Sequence, residues 1–303
     1  MGDQETSGPL SGKDGYGMKK IGFIDYFLDE WHANHLPQWI QDAGKGEYQV
    51  CYAWGEMDKE GRRSNAQWAA EMKIQLLDSI EEVVERSDYL VVLSPDNPER
   101  HEALCQIPLS SGKPCYVDKT FAPDAASARR MVELARKHHT PMFSSSALRF
   151  STELKDLCLD GVRFASSRGP GSAVNYLIHH IEMLVLLMDA PATRLMSLGN
   201  ENCYSYLLEF PPAKGENCAE KRYAAFQLLG GASPFTLAIG YDGRKPVVIP
   251  ECTNYFENFV VELLRFFDTG AAPVNPDDTV NIMGIISAAV RGMNCPGQWL
   301  SVE

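Results

Sequence analysis

Hydrophobic and polar positions in the first half of the chain follow two alternating periods. Short apolar runs rich in branched side chains are typical of strands buried on both faces. They lie at residues 20–24, 48–54, 74–77, 89–93, 114–117 and 141–144. Between them, apolar residues recur at helical spacing, most clearly over 31–43, 66–72 and 124–138. Strands that alternate with helices predict a Rossmann-type, doubly wound parallel sheet.

The pattern changes after residue 148. Strand-like segments now follow one another without helices between them, at 194–198, 205–210, 222–228, 235–239 and 247–250. Apolar helices are predicted around them, at 176–188, 254–268 and 278–293, with a shorter one at 153–159. This succession predicts an α+β domain with a mostly antiparallel open sheet. We expect two domains, 18–148 and 149–303, after a tail of residues 1–17 that lacks periodicity and is predicted to be disordered.

Composition narrows the function classes. The chain has 28 basic and 40 acidic side chains and a formal net charge of −12, which argues against nucleic acid or an anionic membrane as partner. No apolar run approaches the roughly 18 residues that span a bilayer. Eight cysteines occur without a Cys-x-x-Cys pair, which favours a reducing cytoplasm without disulfides or structural zinc. A small-molecule ligand is the expected partner.

The stretch 89–121 carries the first chemical signal. A predicted strand ends at Ser94-Pro95, a helix follows, and a second strand ends at Asp118-Lys119-Thr120. Ligands of an open parallel sheet bind outside the carboxyl ends of its strands. Lys119 is therefore a candidate functional residue, although the pattern also fits a solvated surface lysine.

The predicted helix near residue 180 carries the second signal. Helical spacing places Asn175, His179 and Glu182 on one face, and His180 about 100° away from it. A histidine in an apolar helix needs hydrogen-bonding partners. His179 is thus either a core histidine satisfied by its neighbours or an acid–base group that works near neutral pH.

These residues together resemble the glucose–fructose oxidoreductase / inositol dehydrogenase (Gfo/Idh/MocA) family. The resemblance is carried by Ser94-Pro95, His101, Gly112-Lys113-Pro114 and Asp118-Lys119-Thr120, and extends to the layout of the second domain. The tripeptide departs from the family pattern, which usually ends in proline. The resemblance implies that Lys119 lies beside a nicotinamide and the substrate hydroxyl. It also implies a homo-oligomer formed through the open antiparallel sheet.

The family pattern around the histidine is Asp-x-x-x-His-x-x-Asp. The resemblance implies that His179 is the general acid or base and that Asn175 stands where the family has its acidic partner. Asparagine can orient an imidazole but cannot stabilise its cation by charge, and in serine proteases that kind of change costs about 10⁴ in rate. Glu182 is the alternative source of that charge.

The loop after the first strand departs most from a dinucleotide site. A Gly-x-Gly-x-x-Gly turn lets the backbone approach the pyrophosphate at a helix N-terminus. The corresponding positions here are Asp25, Phe27 and Glu30, with Asp29 beside them. Like charges at contact distance repel by about 1 kcal/mol in water and more when desolvated. Either the dinucleotide binds differently and weakly, or the protein no longer uses one.

If a dinucleotide binds, further contacts follow. A carboxylate at Glu56 or Asp58 would accept from a ribose 2′-hydroxyl and favour NAD over NADP, although either residue also fits a solvated acidic turn. By resemblance, the remaining cofactor contacts are Ser94, Pro95, Asn97, His101 and Asp118.

Other candidates concern substrate and metal. Arg149 and Arg168 could meet an anionic group of the substrate, or form surface salt bridges, and His180 is a further substrate candidate. His32-x-x-His35 has the spacing of a metal pair, but a third ligand cannot be placed, so no metal is expected.

Three functions remain open from the sequence. The first is a dehydrogenase that moves a hydride between a nicotinamide and a hydroxyl-bearing carbon of a sugar, cyclitol or related molecule. The second is a catalytically silent relative that binds a small ligand. The third is a non-redox lyase on the same scaffold.

Overall fold

The structure is a computed structural model that describes residues 17–171, 174–200, 203–213 and 220–303. It contains two sheets, one parallel and one mixed, and the predicted fold class is confirmed. The tail predicted at residues 1–17 lies outside the described residues except for Gly17. The domain boundary at residue 148 remains a prediction.

The first sheet has six parallel strands in the order β3-β2-β1-β4-β5-β6. Its strands are β1 (Lys19–Asp25), β2 (Tyr48–Gly55), β3 (Gln75–Leu76), β4 (Tyr89–Val92), β5 (Cys115–Val117) and β6 (Met142–Phe143). The central strands are apolar on both faces because helices cover both. Strands β1 and β4 are adjacent, so the chain reverses its direction of winding between them, where open α/β sheets bind ligands.

Five helices surround this sheet. They are α1 (Trp31–Ala43), α2 (Asn65–Met72), α3 (Ile80–Arg86), α4 (Pro98–Leu104) and α5 (Ala125–Lys137). Local signals set their starts. Ser64 and Gln67 form a capping box at α2, and the side chains of Ser79 and Asp124 cap α3 and α5, each satisfying an N–H that the helix leaves unpaired.

The second sheet has seven strands in the order β12-β11-β7-β10-β9-β8-β13. They are β7 (Val162–Gly169), β8 (Arg194–Asn200), β9 (Cys203–Phe210), β10 (Arg222–Leu228), β11 (Thr236–Tyr241), β12 (Val247–Ile249) and β13 (Trp299–Ser301). Pairing is antiparallel except between β7 and β10, which run parallel. The short edge strand β13 has no counterpart among the predicted strands, because a three-residue run carries too little periodicity.

Three helices complete the fold: α6 (Leu177–Met188), α7 (Tyr255–Thr269) and α8 (Pro276–Gly292). The helix predicted at 153–159 is wrong: the chain makes only short 3₁₀ turns, at Ala147–Phe150 and Thr152–Leu154. Helix α7 packs on the first sheet, where Phe259 lies 5.2 Å from Tyr116 and Phe267 stacks 4.7 Å from Tyr89, between ring centroids. A helix from the C-terminal half of the chain therefore completes the first core.

Among the described residues, no helix is both long and apolar enough to cross a lipid bilayer.

Candidate active site

A cleft lies between the carboxyl ends of the first sheet and the start of α6. Its cavity volume is about 1240 Å³. Residues from the start of α1, from the end of β5, from α6 and from the segments around 233 and 254 line it, among them Trp31, His32, Lys119, Asn175, His179, Phe235 and Phe256. The fold thus brings together residues that are far apart in the sequence.

Lys119 reaches this cleft from the turn after β5. Its Nζ donates to the Pro95 carbonyl oxygen at 2.9 Å and lies 3.8 Å from an Asp96 carboxylate oxygen. The side chain is only 11% exposed, so its ammonium is held in place at the carboxyl ends of the parallel strands. The lysine is not a freely solvated surface residue.

His179 lies in the first turn of α6 and lines the same cleft as Lys119. Its Nδ1 lies 2.7 Å from Ser146 Oγ, so the hydrogen-bonding partner is this serine. Burial, then the nearby charge of Lys119, lowers the pKa of His179 to about 3. The imidazole is therefore neutral at pH 7, and when Nδ1–H donates to Ser146 the other ring nitrogen, Nε2, can accept a proton.

Asn175 also lines the cleft, but it precedes α6 and is exposed. Glu182 does not reach His179. Its Oε1 accepts from Ser145 Oγ and from Arg149 Nη1, both at 3.0 Å, beneath the cleft floor. The alternative in which Glu182 supplies charge to His179 has no direct contact to support it.

Arg149 belongs to that buried ion pair, with Asp278 as a second, looser partner at 3.9 Å. His180 is fully buried, 2.7 Å from Ser167 Oγ and stacked on Phe226. Arg168 is exposed and lines a different pocket, with Val248. The structure therefore brings none of the three substrate candidates Arg149, Arg168 and His180 to the cleft wall.

The predicted cofactor contacts after β4 have mostly structural partners. Ser94, at a φ of 85°, donates its hydroxyl to the Asn97 carbonyl, and Asn97 Nδ2 donates to Glu99. His101 is fully buried between the carbonyls of Leu93 and Phe121. It joins the end of β4 to the turn that carries Lys119, so its role in the sequence motif is positional. Pro95 contributes the carbonyl that holds Lys119.

Glu56 and Asp58, the two residues proposed to bind the ribose, already have partners within the protein. Glu56 forms a two-pronged ion pair with Arg100, whose guanidinium lies 5.3 Å from the centre of the Tyr26 ring. Phe27 is buried, and the Lys59 ammonium lies 4.3 Å from the centre of its ring. Asp58 accepts from the Asn65 backbone N–H at 2.7 Å. These contacts tie the loop after β1 to the loop after β2.

The β1–α1 loop shows whether a pyrophosphate fits. Glu30 caps α1: its carboxylate accepts from the N–H of His32 at 2.7 Å and from that of Ala33. Other loop N–H groups are also taken, that of Tyr26 by the Asp25 carboxylate at 2.7 Å and that of Leu28 by Asn65 at 2.9 Å. The donors that would hold a phosphate already hold carboxylates and an amide, so the residues present do not fit this group.

Two buried carboxyl groups reinforce this conclusion. Asp25 is fully buried, and burial followed by the charge of Glu30 raises its pKa well above the usual range. Burial raises the pKa of Glu30 to about 7. Asp29, by contrast, pairs with Arg63 at 2.6 Å, a hydrogen bond that lowers its pKa to about 2. Of the three predicted carboxyl groups, Asp25 and Glu30 therefore lie at the phosphate position. Their raised pKa values show that this position disfavours negative charge.

His32 is a site residue that the sequence suggested only as a metal ligand. Its Nδ1 contacts a carboxylate oxygen of Asp118, whose second oxygen accepts from Tyr116 Oη at 3.1 Å and from the Lys119 N–H at 2.7 Å. Burial opposes both charges, but the pair offsets it: the pKa of His32 is raised and that of Asp118 falls to about 2. Asp118, proposed as a cofactor contact, holds an imidazole.

His35 turns away from His32, since its Nδ1 lies 2.6 Å from the Trp31 carbonyl. The part of the chain that the structure describes contains no group of three or more His, Cys, Asp or Glu residues that could hold a metal ion.

Fold and site together define a two-sheet protein with a cleft lined by a lysine and a histidine. Residues 32–145 match a family model described as "Oxidoreductase family, NAD-binding Rossmann fold". The match begins at His32, after the loop in which the glycines are replaced. This stretch, 114 of the 303 residues, is therefore similar to the Gfo/Idh/MocA oxidoreductases. No sequence of a curated protein matches the chain.

Solved structures share the fold over nearly the whole chain. The myo-inositol dehydrogenase of Lactobacillus casei, solved with NAD(H) and myo-inositol, is 13% identical with a TM-score of 0.73, over 94% of this chain and 97% of that one. GenD2 from gentamicin A biosynthesis, solved with NAD, is 12% identical with a TM-score of 0.71, over 97% and 100%. The UDP-N-acetylglucosamine 3-dehydrogenase GnnA of Acidithiobacillus ferrooxidans is 12% identical with a TM-score of 0.69, over 92% and 97%.

Proposed function

We propose that the chain is an enzyme of the Gfo/Idh/MocA type that acts on a hydroxyl-bearing carbon of a sugar, cyclitol or related small molecule. The observation that carries the proposal is the placement of Lys119 and His179 in one cleft. Lys119 is a fixed cation that hydrogen-bonds the substrate oxygen and stabilises negative charge developing on it. His179, neutral at pH 7, takes the proton of that hydroxyl through Nε2.

The cleft suits a polyhydroxylated ring. Trp31 and Phe256 line it with ring centroids 5.1 Å apart, and such aromatic surfaces pack against the apolar faces of a ligand while a few polar groups fix its orientation. Asn175 and Glu251 add polar groups to the wall. The cited neighbours solved or described with inositol or a nucleotide sugar support a substrate of this class.

The matched family is described as NAD-binding, and two cited neighbours were solved with NAD or NAD(H). These similarities favour a nicotinamide as hydride acceptor, whereas the occupied N–H groups at the start of α1 oppose it. The preference for NAD over NADP stays a prediction, and Glu56, on which it rests, is paired with Arg100. A second candidate, proton transfer without net oxidation, is favoured by the carboxylate cap that Glu30 places on α1.

A turnover screen on sugars, cyclitols and their acids, with and without added NAD, tests these candidates. We expect Lys119→Met and His179→Gln each to lower kcat by about 10² or more, as for other single groups of this kind. Lys137→Met, an exposed lysine at the end of α5, is the matched control and should leave turnover unchanged. Turnover only with NAD supports hydride transfer, and turnover without NAD supports the second candidate. Full activity of Lys119→Met contradicts the proposed site, and the absence of turnover on every compound favours a ligand-binding relative.

We also propose a homo-oligomer formed through the second sheet. One face of that sheet is covered by α6 and α8, which contact β7, β10 and β8. The opposite face carries Phe164, which is 41% exposed, beside the partly exposed Tyr223 of the neighbouring strand. An open apolar sheet face is a typical interaction surface.

The cytoplasmic location is likewise a proposal. The seven cysteines among the described residues are all unpaired thiols, as expected for a reducing compartment.

A further inference from the structure

Four ionisable side chains form a network at the start of α1, and the roles proposed for Lys119 and His179 do not account for it. It consists of Asp25, Glu30, His32 and Asp118, contributed by the end of β1, the loop, α1 and the end of β5. Asp25 and Asp118 are at most 2% exposed and Glu30 is 5% exposed. Burying several ionisable groups is costly unless each is paired or neutral, so this cluster needs a function or a compensating contact.

Glu30 belongs to the part of the network at the N-terminus of α1. A helix N-terminus attracts anions because its first N–H groups are unpaired and its dipole is positive there. Here the carboxylate of Glu30 occupies the His32 and Ala33 N–H groups. The protein's own anion thus lies where the fold would otherwise seat a phosphate. A dianionic pyrophosphate would have to displace it and then lie beside buried Asp25, whose Oδ2 has no hydrogen-bonding partner in the described part of the chain.

His32 and Asp118 form the part of the network beside the cleft. Its Nδ1 is held by Asp118, which fixes the ring and stabilises its cation. No hydrogen bond of its Nε2 occurs among the described residues, and the ring lines the cleft. A deeper cavity of about 30 Å³ is lined by His32, Asp118, Lys119 and His179 together. A cavity needs roughly 10–15 Å³ to hold one water, so there is room for a single oxygen in reach of an acid and a base.

We propose that Glu30 takes the place of a bound phosphate at the start of α1, so that the chain uses no dinucleotide there, and that His32, held by Asp118, is a proton donor of the cleft. The second clause rests on the second candidate of the proposed function, proton transfer without net oxidation, since it takes the cleft as the reacting site. One substrate X–H bond breaks as His179 Nε2 accepts its proton. One O–H bond forms as His32 Nε2 gives its proton to a substrate oxygen. The electron pairs stay in the substrate, so no oxidant is required.

The charges around His32 agree with a donor role. Glu30 and Asp118 favour its protonated form, whereas Lys119 opposes it; His179, on the facing helix, is neutral at pH 7. At pH 7 Asp118 is ionised and Glu30, with a pKa of about 7, is about half ionised, so the negative charge around the imidazole exceeds the one ammonium. The donor is protonated and the acceptor unprotonated under the same conditions, which is the combination that acid–base catalysis needs.

The first arm of the test is binding. Calorimetric titration of the full chain with NADH and with NADPH should give no saturation up to 1 mM, a bound of about 4 kcal/mol on the affinity. Saturable binding below 1 mM overturns the Glu30 clause. The result is independent of any turnover screen, so it is readable even if the proposed function fails.

The second arm is the ionisation of His32, followed by NMR of its ring nitrogens. We expect the pKa of His32 to lie above the ordinary histidine value of about 6.5 and to be lower in Asp118→Asn. A His32 that titrates at or below 6.5 overturns the donor clause, because the proton would not be held at neutral pH.

The third arm uses the substrate found in the screen. His32→Gln should lower kcat by about 10² or more and abolish the loss of rate as pH rises through the pKa of His32. His139→Gln, at an exposed histidine between α5 and β6, is the control and should leave both unchanged. A His32→Gln enzyme that keeps the alkaline limb of the pH profile contradicts the role, since a merely structural histidine would alter stability without moving that limb.

Discussion

The buried pair of Arg149 and Glu182 supports the wall that carries His179. The two side chains are 10% and 2% exposed and 3.0 Å apart. Replacing Arg149 by methionine keeps most of the packing volume but leaves Glu182 buried without its cation. Removing one partner of a buried pair is far more costly than removing both. We therefore expect Arg149→Met to be strongly destabilising at neutral pH.

The magnitude follows from the proton that Glu182 would take up. Burial already raises the pKa of Glu182 despite Arg149. Without the arginine, the carboxyl escapes its desolvation by binding a proton, and at pH 7 this costs at most about 1.36 × (7 − 4.3), or about 3.7 kcal/mol. At pH 5 the same ceiling is about 1 kcal/mol.

The sign is fixed by linkage. A carboxyl whose folded pKa lies above its unfolded value binds more protons in the folded state, so the free energy of unfolding falls as pH rises above about 4.3. Part of this cost is already present in the wild type, whose Glu182 pKa is raised. Urea unfolding should therefore show a loss of up to about 3 kcal/mol for Arg149→Met at pH 7 and no more than about 1 kcal/mol at pH 5.

Two further variants make the measurement decisive. The double variant Arg149→Met/Glu182→Leu should recover most of the loss, because no buried charge is left unpaired. Arg265→Met, which breaks an exposed pair with Glu262, should cost less than about 1 kcal/mol. A loss for Arg149→Met that is the same at pH 5 and pH 7 would refute the reasoning, because it would point to packing and not to charge.

Two other predictions concern stability and assembly. Gly22→Ala should lower the free energy of unfolding in urea by about 1–3 kcal/mol, because an added Cβ would lie 2.3 Å from Ser87 Oγ and 2.5 Å from Val83 Cγ1. Gly17→Ala is the control, since its Cβ would meet nothing within 4 Å. Equal stabilities of the two variants would contradict this prediction. Phe164→Glu should lower the mass measured by light scattering if the second sheet forms the interface, whereas Val261→Glu, at an exposed apolar residue of α7, should not; an unchanged mass for Phe164→Glu would exclude this face.

Much of the fold could be predicted from local patterns. The period-2 and period-3.6 signals are properties of neighbouring residues, and they located every strand of the first sheet to within a few residues. They fail for short segments: the pattern predicts a helix where the chain makes turns near residue 153, and it does not predict β13. The same local information identified Lys119, which ends a strand, His179, which starts a helix, and the three positions without glycine.

The partners of those residues were decided by the tertiary structure. Helical spacing offered Glu182 to His179, but the loop after β6 inserts Ser146 there and gives Arg149 to Glu182. His32 and Asp118 are 86 positions apart and meet only because β1 and β5 flank β4. A sequence shows which residues can ionise, but burial and the charges across the cleft fix which of them hold a proton.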